Sequence, residues 1–85
     1  MYYVYILYSW KLKKFYVGFS KDLQNRVRKH NNGEVPFTSR GVPWKLVYYE
    51  TFINKQDAVS EEKFLKTGKG RERRNYLPRS FIEDN

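Results

Sequence analysis

The sequence predicts an α+β domain in which a small, three-stranded and mostly antiparallel sheet is flanked by helices. Three stretches are rich in aromatic and β-branched residues, which favour strands. Two further segments carry apolar residues along one side of a helical wheel, and each lies between a capping residue and a glycine. The predicted order is ββαβα with a C-terminal helical turn, in one domain over residues 1–85.

The first two strands are predicted to form a hairpin. Tyr2 to Tyr8 is apolar at nearly every position, so both faces of this strand are expected to be covered, as in a central strand. Phe15 to Phe19 is also strand-like, and the short polar link between the two runs favours antiparallel pairing. Trp44 to Phe52 supplies the third strand.

Gly18 interrupts the run of aromatic and β-branched residues in the second strand. We expect the strand to break here and a tight turn to lead into the first helix. Side chains alternate along a strand, so Gly18 shares a face with Tyr16. A glycine on that face leaves room for the close approach of another backbone or of a ligand.

Each helix carries its own start and stop signals. Ser20 can cap a helix from about Lys21 to Asn31, which an Asn-Gly pair then ends. Asn54 caps a second helix from about Lys55 to Thr67, followed by glycine. The segment between the first helix and the third strand is expected to be a loop, and one or two helical turns follow the second helix before Pro78.

Charge and composition narrow the possible partners. Seventeen Lys and Arg against nine acids give a formal net charge of +8, which favours a polyanion such as nucleic acid, although a merely basic protein has the same charge. No cysteine is present, so no disulfide forms and a reducing cytoplasm is expected. The apolar run Tyr2 to Tyr8 is far shorter than the ~20 residues of a membrane helix, so no membrane association is predicted.

Two polar residues of the first helix lie on its predicted inner side. At ~100° per residue, Leu23 and Val27 mark the apolar stripe, His30 lies above Leu23, and Arg26 lies at the edge of the stripe. One interpretation is structural: the arginine stem packs while its head reaches solvent, and the histidine is a hydrogen-bonded core residue. The other is that the pair belongs to a functional site.

The second helix has the same anomaly. Ala58 and Leu65 mark its apolar stripe, Glu62 falls between them, and Glu61 lies at the other edge. A carboxylate on a buried side is usually paired with a cation or a metal. Arg26 could therefore form a purely structural salt bridge with it, and helix geometry only slightly favours Glu62 as the inward acid.

Five separated landmarks occur in order along the chain. Two of them are YVY at positions 3–5 and YVG at positions 16–18. The other three are the spacing of Arg26 and His30, the segment PWKLVYYE and the helix DAVSEEKFLKTGKGR. With these landmarks the sequence resembles the GIY-YIG nuclease superfamily, which includes the UvrC (excinuclease C subunit) nuclease domain, and Tyr3 stands in place of the first glycine of the paired signature. The resemblance extends to about Arg71 and is strongest to small single-domain members.

The resemblance implies a metal-dependent endonuclease that hydrolyses DNA phosphodiester bonds, in repair or processing. Glu62 would hold one Mg²⁺ or Mn²⁺ ion, and Arg26 would stabilise negative charge on the phosphate. Tyr5 or Tyr16 would take the proton from water, with Tyr5 preferred, and nearby cations would lower its pKa. His30 could receive or relay the proton.

The DNA-contacting residues are predicted from the excess of cations around this site. They are Arg28, Lys29, Arg40, Lys69, Arg71, Arg73 and Arg74. Many members of the superfamily carry an asparagine about twelve residues after the acid, where this chain has Arg74, so Asn75 is the candidate for that role. Two alternatives stay open, a non-catalytic nucleic-acid-binding module and a basic interaction domain with a structural polar cluster. The oligomeric state is left open.

Overall fold

A computed structural model describes residues 1–84 and contains a sheet with helices on both of its faces. The predicted ββαβα order is present, with two short helices after it. In chain order the elements are β1 (Tyr2–Ser9), β2 (Lys14–Ser20), α1 (Leu23–Asn31), a 3-10 helix (Pro36–Gly41), β3 (Lys45–Phe52), α2 (Lys55–Leu65), α3 (Gly70–Tyr76) and α4 (Arg79–Glu83).

The sheet has the strand order β2-β1-β3 and is antiparallel throughout, which confirms the predicted fold class. β1 is the central strand, as its apolar sequence indicates, and β2 lies at one edge. In β1, Val4 and Ile6 pack into one core with Ala58 and Leu65 of α2. The side chains of Tyr5 and Leu7 point to the other face, where residues of α1 cover them. Both faces of β1 are therefore buried.

Gly18 does not form the predicted turn. It lies within β2, paired with Tyr5 across the hairpin, and the strand continues to Ser20. A Cβ atom at Gly18 would overlap the phenol ring of Tyr5. The space that the glycine leaves is thus filled by a tyrosine of the neighbouring strand, and the chain turns into α1 only after Ser20.

The helix boundaries differ from the predictions by about two residues. α1 is capped by Asp22, whose carboxylate accepts from the backbone N–H of Asn25 at 3.2 Å. Ser20 instead bonds the backbone of Asp22, at 3.0 and 3.1 Å, and so shapes the turn before the helix. Asn54 caps α2 as predicted, but the helix ends at Leu65.

Two helical segments were not predicted. The 3-10 helix occupies the segment expected to be a loop, and α4 follows Pro78, where no element was expected. Asn31 of α1 ties the start of β3 in place, because its side chain bonds both backbone groups of Trp44, at 2.6 and 2.9 Å. This contact ties the end of α1 to the start of β3, and a bond from Nε1 of Trp44 to the carbonyl of Thr38 joins the 3-10 helix to the same residue. No helix within residues 1–84 is long and apolar enough to cross a membrane.

Candidate active site

A line of buried hydrogen bonds runs from the central strand through α1 to the 3-10 helix. The hydroxyl of Tyr5 lies 2.9 Å from Nε2 of His30, and Nδ1 of His30 lies 2.7 Å from the hydroxyl of Thr38. All three side chains are almost completely buried. The histidine that the wheel placed on the inner side of α1 is therefore held at both ring nitrogens.

The neighbours of this line determine the direction of each hydrogen bond. Thr38 donates its hydroxyl proton to the carbonyl of Val35 at 3.3 Å, so it accepts from Nδ1 of His30, which carries the ring proton. Nε2 of the neutral ring then accepts the proton of the Tyr5 hydroxyl. Burial, and then the charge of Arg26, lower the pKa of His30 to about 4, which agrees with a neutral ring.

Arg26 extends from α1 to the Tyr5 hydroxyl. Its contact with that hydroxyl raises the pKa of the guanidinium. Its Nε atom is buried and has no hydrogen-bond partner among the described residues. The structural salt bridge to Glu62 is absent within residues 1–84, where Glu62 is within 4.0 Å of Lys66 and not of Arg26. Arg26 therefore carries a charge and a donor that the fold leaves without an acidic partner.

The two candidate tyrosines differ in their surroundings. Tyr5 is fully buried, and burial raises its pKa to about 12, because it outweighs Arg26, which lowers the pKa as expected of a nearby cation. Tyr16 is partly exposed, and its ring lies 5.0 Å from the ring of His30 and 6.5 Å from that of Tyr5. Only Tyr16 of this pair has a side chain open to water.

α2 packs on the opposite face of the sheet from α1 and directs its two glutamates to different places. Glu62 accepts from Lys66 at 3.0 Å, and its charge reaches far enough to raise the pKa of both Tyr5 and Arg26. Glu61 instead lies beside Glu50 of β3. Of the two acids, Glu62 is the one whose charge acts on Tyr5 and Arg26, and its role at the site stays a prediction.

The donor set fits one hard divalent ion bound mainly by water and substrate. Within residues 1–84 no three His, Cys, Asp or Glu residues cluster as a complete metal cage. A lone carboxylate such as Glu62, whose side chain is 22% exposed, suits Mg²⁺, which usually takes one or two carboxylates and keeps several waters. The ammonium group of Lys66 is hydrogen-bonded to this carboxylate and would have to be displaced for an ion to bind.

The predicted DNA-contacting residues fall into separate groups. Arg71 and Arg74 line a groove of about 540 Å³ together with Tyr16 and Lys66. Arg73 does not share it, because its charge acts on Glu50 across the α2 side of the sheet. The remaining predicted cations are exposed on α1, on the 3-10 helix and just before α3: Arg28, Lys29, Arg40 and Lys69.

At the position of the superfamily's asparagine the structure has Arg74 in the groove and Asn75 outside it. Asn75 is exposed, and its side-chain oxygen accepts from Nε and Nη2 of Arg74 at 3.4 and 3.2 Å. Asn75 therefore supports Arg74, which is the residue next to Tyr16 and Lys66.

Sequence reasoning missed three residues that shape this site. Thr38 fixes His30, Phe37 packs against Tyr16 at a centroid distance of 5.9 Å, and Lys66 holds Glu62. Lys66 could have been found from its position four residues after Glu62, which places both on one side of a helix. Thr38 and Phe37 belong to a segment without periodicity, so no pattern in the sequence indicated them.

A larger groove of about 760 Å³ lies at the start of α1 and has a different lining. Its walls include Tyr3, Tyr49 and the capping residue Asp22, but none of Tyr16, Arg26, His30 or Glu62. Its size alone does not make it the site of chemistry.

Comparison with known proteins identifies the family of the chain. The family model described as the GIY-YIG catalytic domain matches residues 1–76. A UPF0213 protein of Clostridium perfringens is 43% identical over 67 residues, covering 78% of this chain and 71% of the relative. A UPF0213 protein of Pediococcus acidilactici is 35% identical over 84 residues, covering 95% and 85%. No solved structure matches the chain significantly. The chain belongs to the GIY-YIG catalytic domain family, which is a family of nuclease domains, and UPF0213 proteins are among its relatives.

Proposed function

We propose that this protein is a metal-dependent endonuclease that hydrolyses DNA phosphodiester bonds, in DNA repair or processing. The observation that carries the proposal is the meeting of Arg26, Tyr16 and Glu62 around one buried hydrogen-bond line. Arg26 has a buried, unpartnered donor, Tyr16 is open to water, and Glu62 acts electrostatically on the same cluster. Family membership supports the same chemistry.

Tyr16 is the general base in this proposal, rather than Tyr5. A general base must lie within hydrogen-bond reach of the attacking water, and Tyr5 is fully buried with its proton committed to His30. Tyr5 and His30 are positioning residues: they hold Arg26 and pack beside the ring of Tyr16.

Arg26 binds the scissile phosphate. Its guanidinium offers several donors in a fixed plane, and the buried Nε has none of its hydrogen-bonding capacity used within residues 1–84. A donor held in a partly buried site before the reaction stabilises the charge that develops on phosphorus more strongly than one in water.

Glu62 holds the divalent ion, which, when bound, supplies charge neutralisation at the phosphate and assistance to the leaving oxygen. Lys66 neutralises Glu62 in its absence. Lys66 then becomes available to bind a phosphate beside the groove that it lines.

A non-catalytic nucleic-acid-binding module is the second candidate. Arg74 favours it, because an arginine stands where many members of the superfamily carry an asparagine. A module of this kind would keep the basic groove and the hydrogen-bond line without turnover.

Incubation with labelled duplex, nicked, branched and single-stranded DNA separates the two candidates. We expect cleavage in Mg²⁺ or Mn²⁺, and none in EDTA or in a Glu62→Gln variant that still binds. Binding of the wild-type protein to every substrate without cleavage of any, in either metal, would favour the second candidate.

A further inference from the structure

Phe37 is exposed to an unusual degree for an apolar side chain on a well-tied segment. It is 85% exposed, yet the next residue, Thr38, is buried and bonded to His30. The carbonyl of Thr38 also accepts from Nε1 of Trp44 at 2.7 Å. The backbone that follows Phe37 is therefore fixed, and the ring is held in solvent at the rim of the candidate active site.

The ring of Phe37 forms one wall of the basic groove. Its centroid lies 5.9 Å from that of Tyr16, at an interplanar angle of 48°. The floor consists of residues 15–17 of the edge strand β2, and the far wall consists of Lys66, Arg71 and Arg74. The lining contains three cations and no carboxylate.

Two of the cations in the far wall, Arg71 and Arg74, repel each other. Arg71 lowers the pKa of Arg74, in addition to the effect of burial, so the two guanidinium groups are close enough to repel. Arg74 also lies 5.4 Å from the ring of Phe15. A 3-10 helix has three residues per turn, so Arg40 lies on the same side of its helix as Phe37, outside the lining of the groove.

Charge and aromatic surface together identify the occupant. Lys66 is paired with Glu62, but Arg71 and Arg74 have no acidic partner within 4.0 Å among residues 1–84. Cations without an acidic partner favour the phosphates of a nucleic acid, and an exposed aromatic face favours a base. The bases of an intact duplex are already stacked on both sides, so only an unpaired or extruded base presents a free face to Phe37. A volume of about 540 Å³ is within the range of small-molecule sites and suits a nucleotide.

We propose that this groove is a subsite for one unpaired nucleotide next to the scissile phosphate, with its base stacked on Phe37. The inference rests on the proposed function, because it takes Tyr16 as the end of the groove where cleavage occurs. The protein then prefers DNA with a single-stranded stretch beside the cut over continuous duplex.

The test measures binding without cleavage. Affinity for single-stranded and for duplex oligonucleotides of equal length is measured in EDTA, with wild type, Phe37→Ala and Phe37→Trp. We expect Phe37→Ala to weaken single-strand binding about 10-fold or more, the effect typical of losing one stacked base, with little change for duplex. Phe37→Trp should restore it. A 2-aminopurine base in the single strand should be quenched by wild type and not by Phe37→Ala.

Ile53→Ala is the matched control. Ile53 is also 85% exposed, and it follows β3, at the edge of the sheet away from β2. Equal loss of single-strand and duplex binding in Phe37→Ala, no loss of either, or the same loss in Ile53→Ala would overturn the subsite. Because no metal is present, a protein that stacks a base through Phe37 but never cuts would retain this inference and lose the proposed function. A protein that cuts DNA, but whose single-strand binding does not depend on Phe37, would retain the proposed function and lose this inference.

Discussion

Tyr5 and Tyr16 stand side by side in the sheet, but the fold gives them different tasks. We expect Tyr16→Phe to lower the cleavage rate by about 10²-fold or more, as losing a general base does, with an unchanged melting temperature. Tyr5→Phe removes the donor to Nε2 of His30 and leaves a buried acceptor unpaired, at a cost of ~1–3 kcal/mol in unfolding free energy. Thermal unfolding and single-turnover cleavage on both variants check this. Full loss of cleavage in Tyr5→Phe without a change in melting temperature would reverse the assignment.

Arg26→Ala should lose cleavage while the fold survives. Losing one donor that stabilises charge in a transition state costs ~10²–10³ in rate. No carboxylate within residues 1–84 pairs with Arg26 at 4.0 Å or less, so its removal strands no buried acid. Cleavage rate and melting temperature are to be measured on the same preparation. A large fall in melting temperature, with activity per folded molecule unchanged, would show that Arg26 is structural.

At the scale of the element, α2 directs its adjacent residues Glu61 and Glu62 to different partners. Glu62→Gln should abolish cleavage at every metal concentration and bind DNA as well as wild type or better, because it removes a negative charge near the groove. Glu61→Gln should leave cleavage within a few-fold, because Glu61 lies beside Glu50. One gel assay with matched binding curves compares them. Loss of activity only in Glu61→Gln would assign the metal to the other acid.

Glu50 of β3 is influenced electrostatically by residues of α2 and α3, which makes its contribution to stability depend on pH. Burial and then Glu61 raise the pKa of Glu50 to about 7, while Arg73 opposes this; the Tyr48 hydroxyl is also in contact with it. Because the folded pKa lies above the ordinary 4.5, the stabilising contribution of Glu50 is complete below pH 4.5 and is lost as the pH rises through 7.

Glu50→Gln should therefore stabilise the protein at pH 8 by about 1–3 kcal/mol and change little at pH 4.5. The quantity to measure is the difference in unfolding free energy between variant and wild type from pH 4.5 to 8. Taking the difference removes the opposite trend from His30, whose pKa is lowered to about 4. A difference that does not change with pH would contradict the assignment.

Elements were predictable where a repeating pattern and burial coincide. The continuous apolar run of β1 predicted its central position in the sheet. The helical wheel of α1 predicted that His30 faces inward, because burial on one side of a helix imposes a period on the sequence. The prediction for Gly18 was wrong because a glycine occurs both in tight turns and in strands that a neighbouring side chain approaches closely. The sequence does not show that the ring of Tyr5 fills the space at Gly18. Thr38 acts through individual contacts with His30 and Trp44, which follow no period in the sequence.

Across the whole molecule, the excess of cations predicts DNA binding that weakens steeply with salt. If about four phosphates are contacted, log K should fall against log salt with a slope near −3.6. Arg74→Ala should reduce that slope by about 1, because Arg74 lines the groove. Arg73→Ala is the control, since its charge acts on Glu50. A fluorescence titration that shows no dependence on salt, or the same change in both variants, would contradict this distribution of contacts.

The central position of β1 also determines the order in which the strands pair during folding. One neighbour, β2, is its own hairpin partner, while the other, β3, joins only after α1 and the 3-10 helix have been passed. Local pairs close faster than distant ones, because a longer loop costs more entropy to close. Tyr5 and Tyr16 therefore meet early in folding, whereas His30 and Thr38 join them late. Opening of the 3-10 helix would release the contacts of Thr38 with His30 and Trp44 without breaking the hairpin, so slow amide exchange in β1 and β2 should coexist with faster exchange around Thr38.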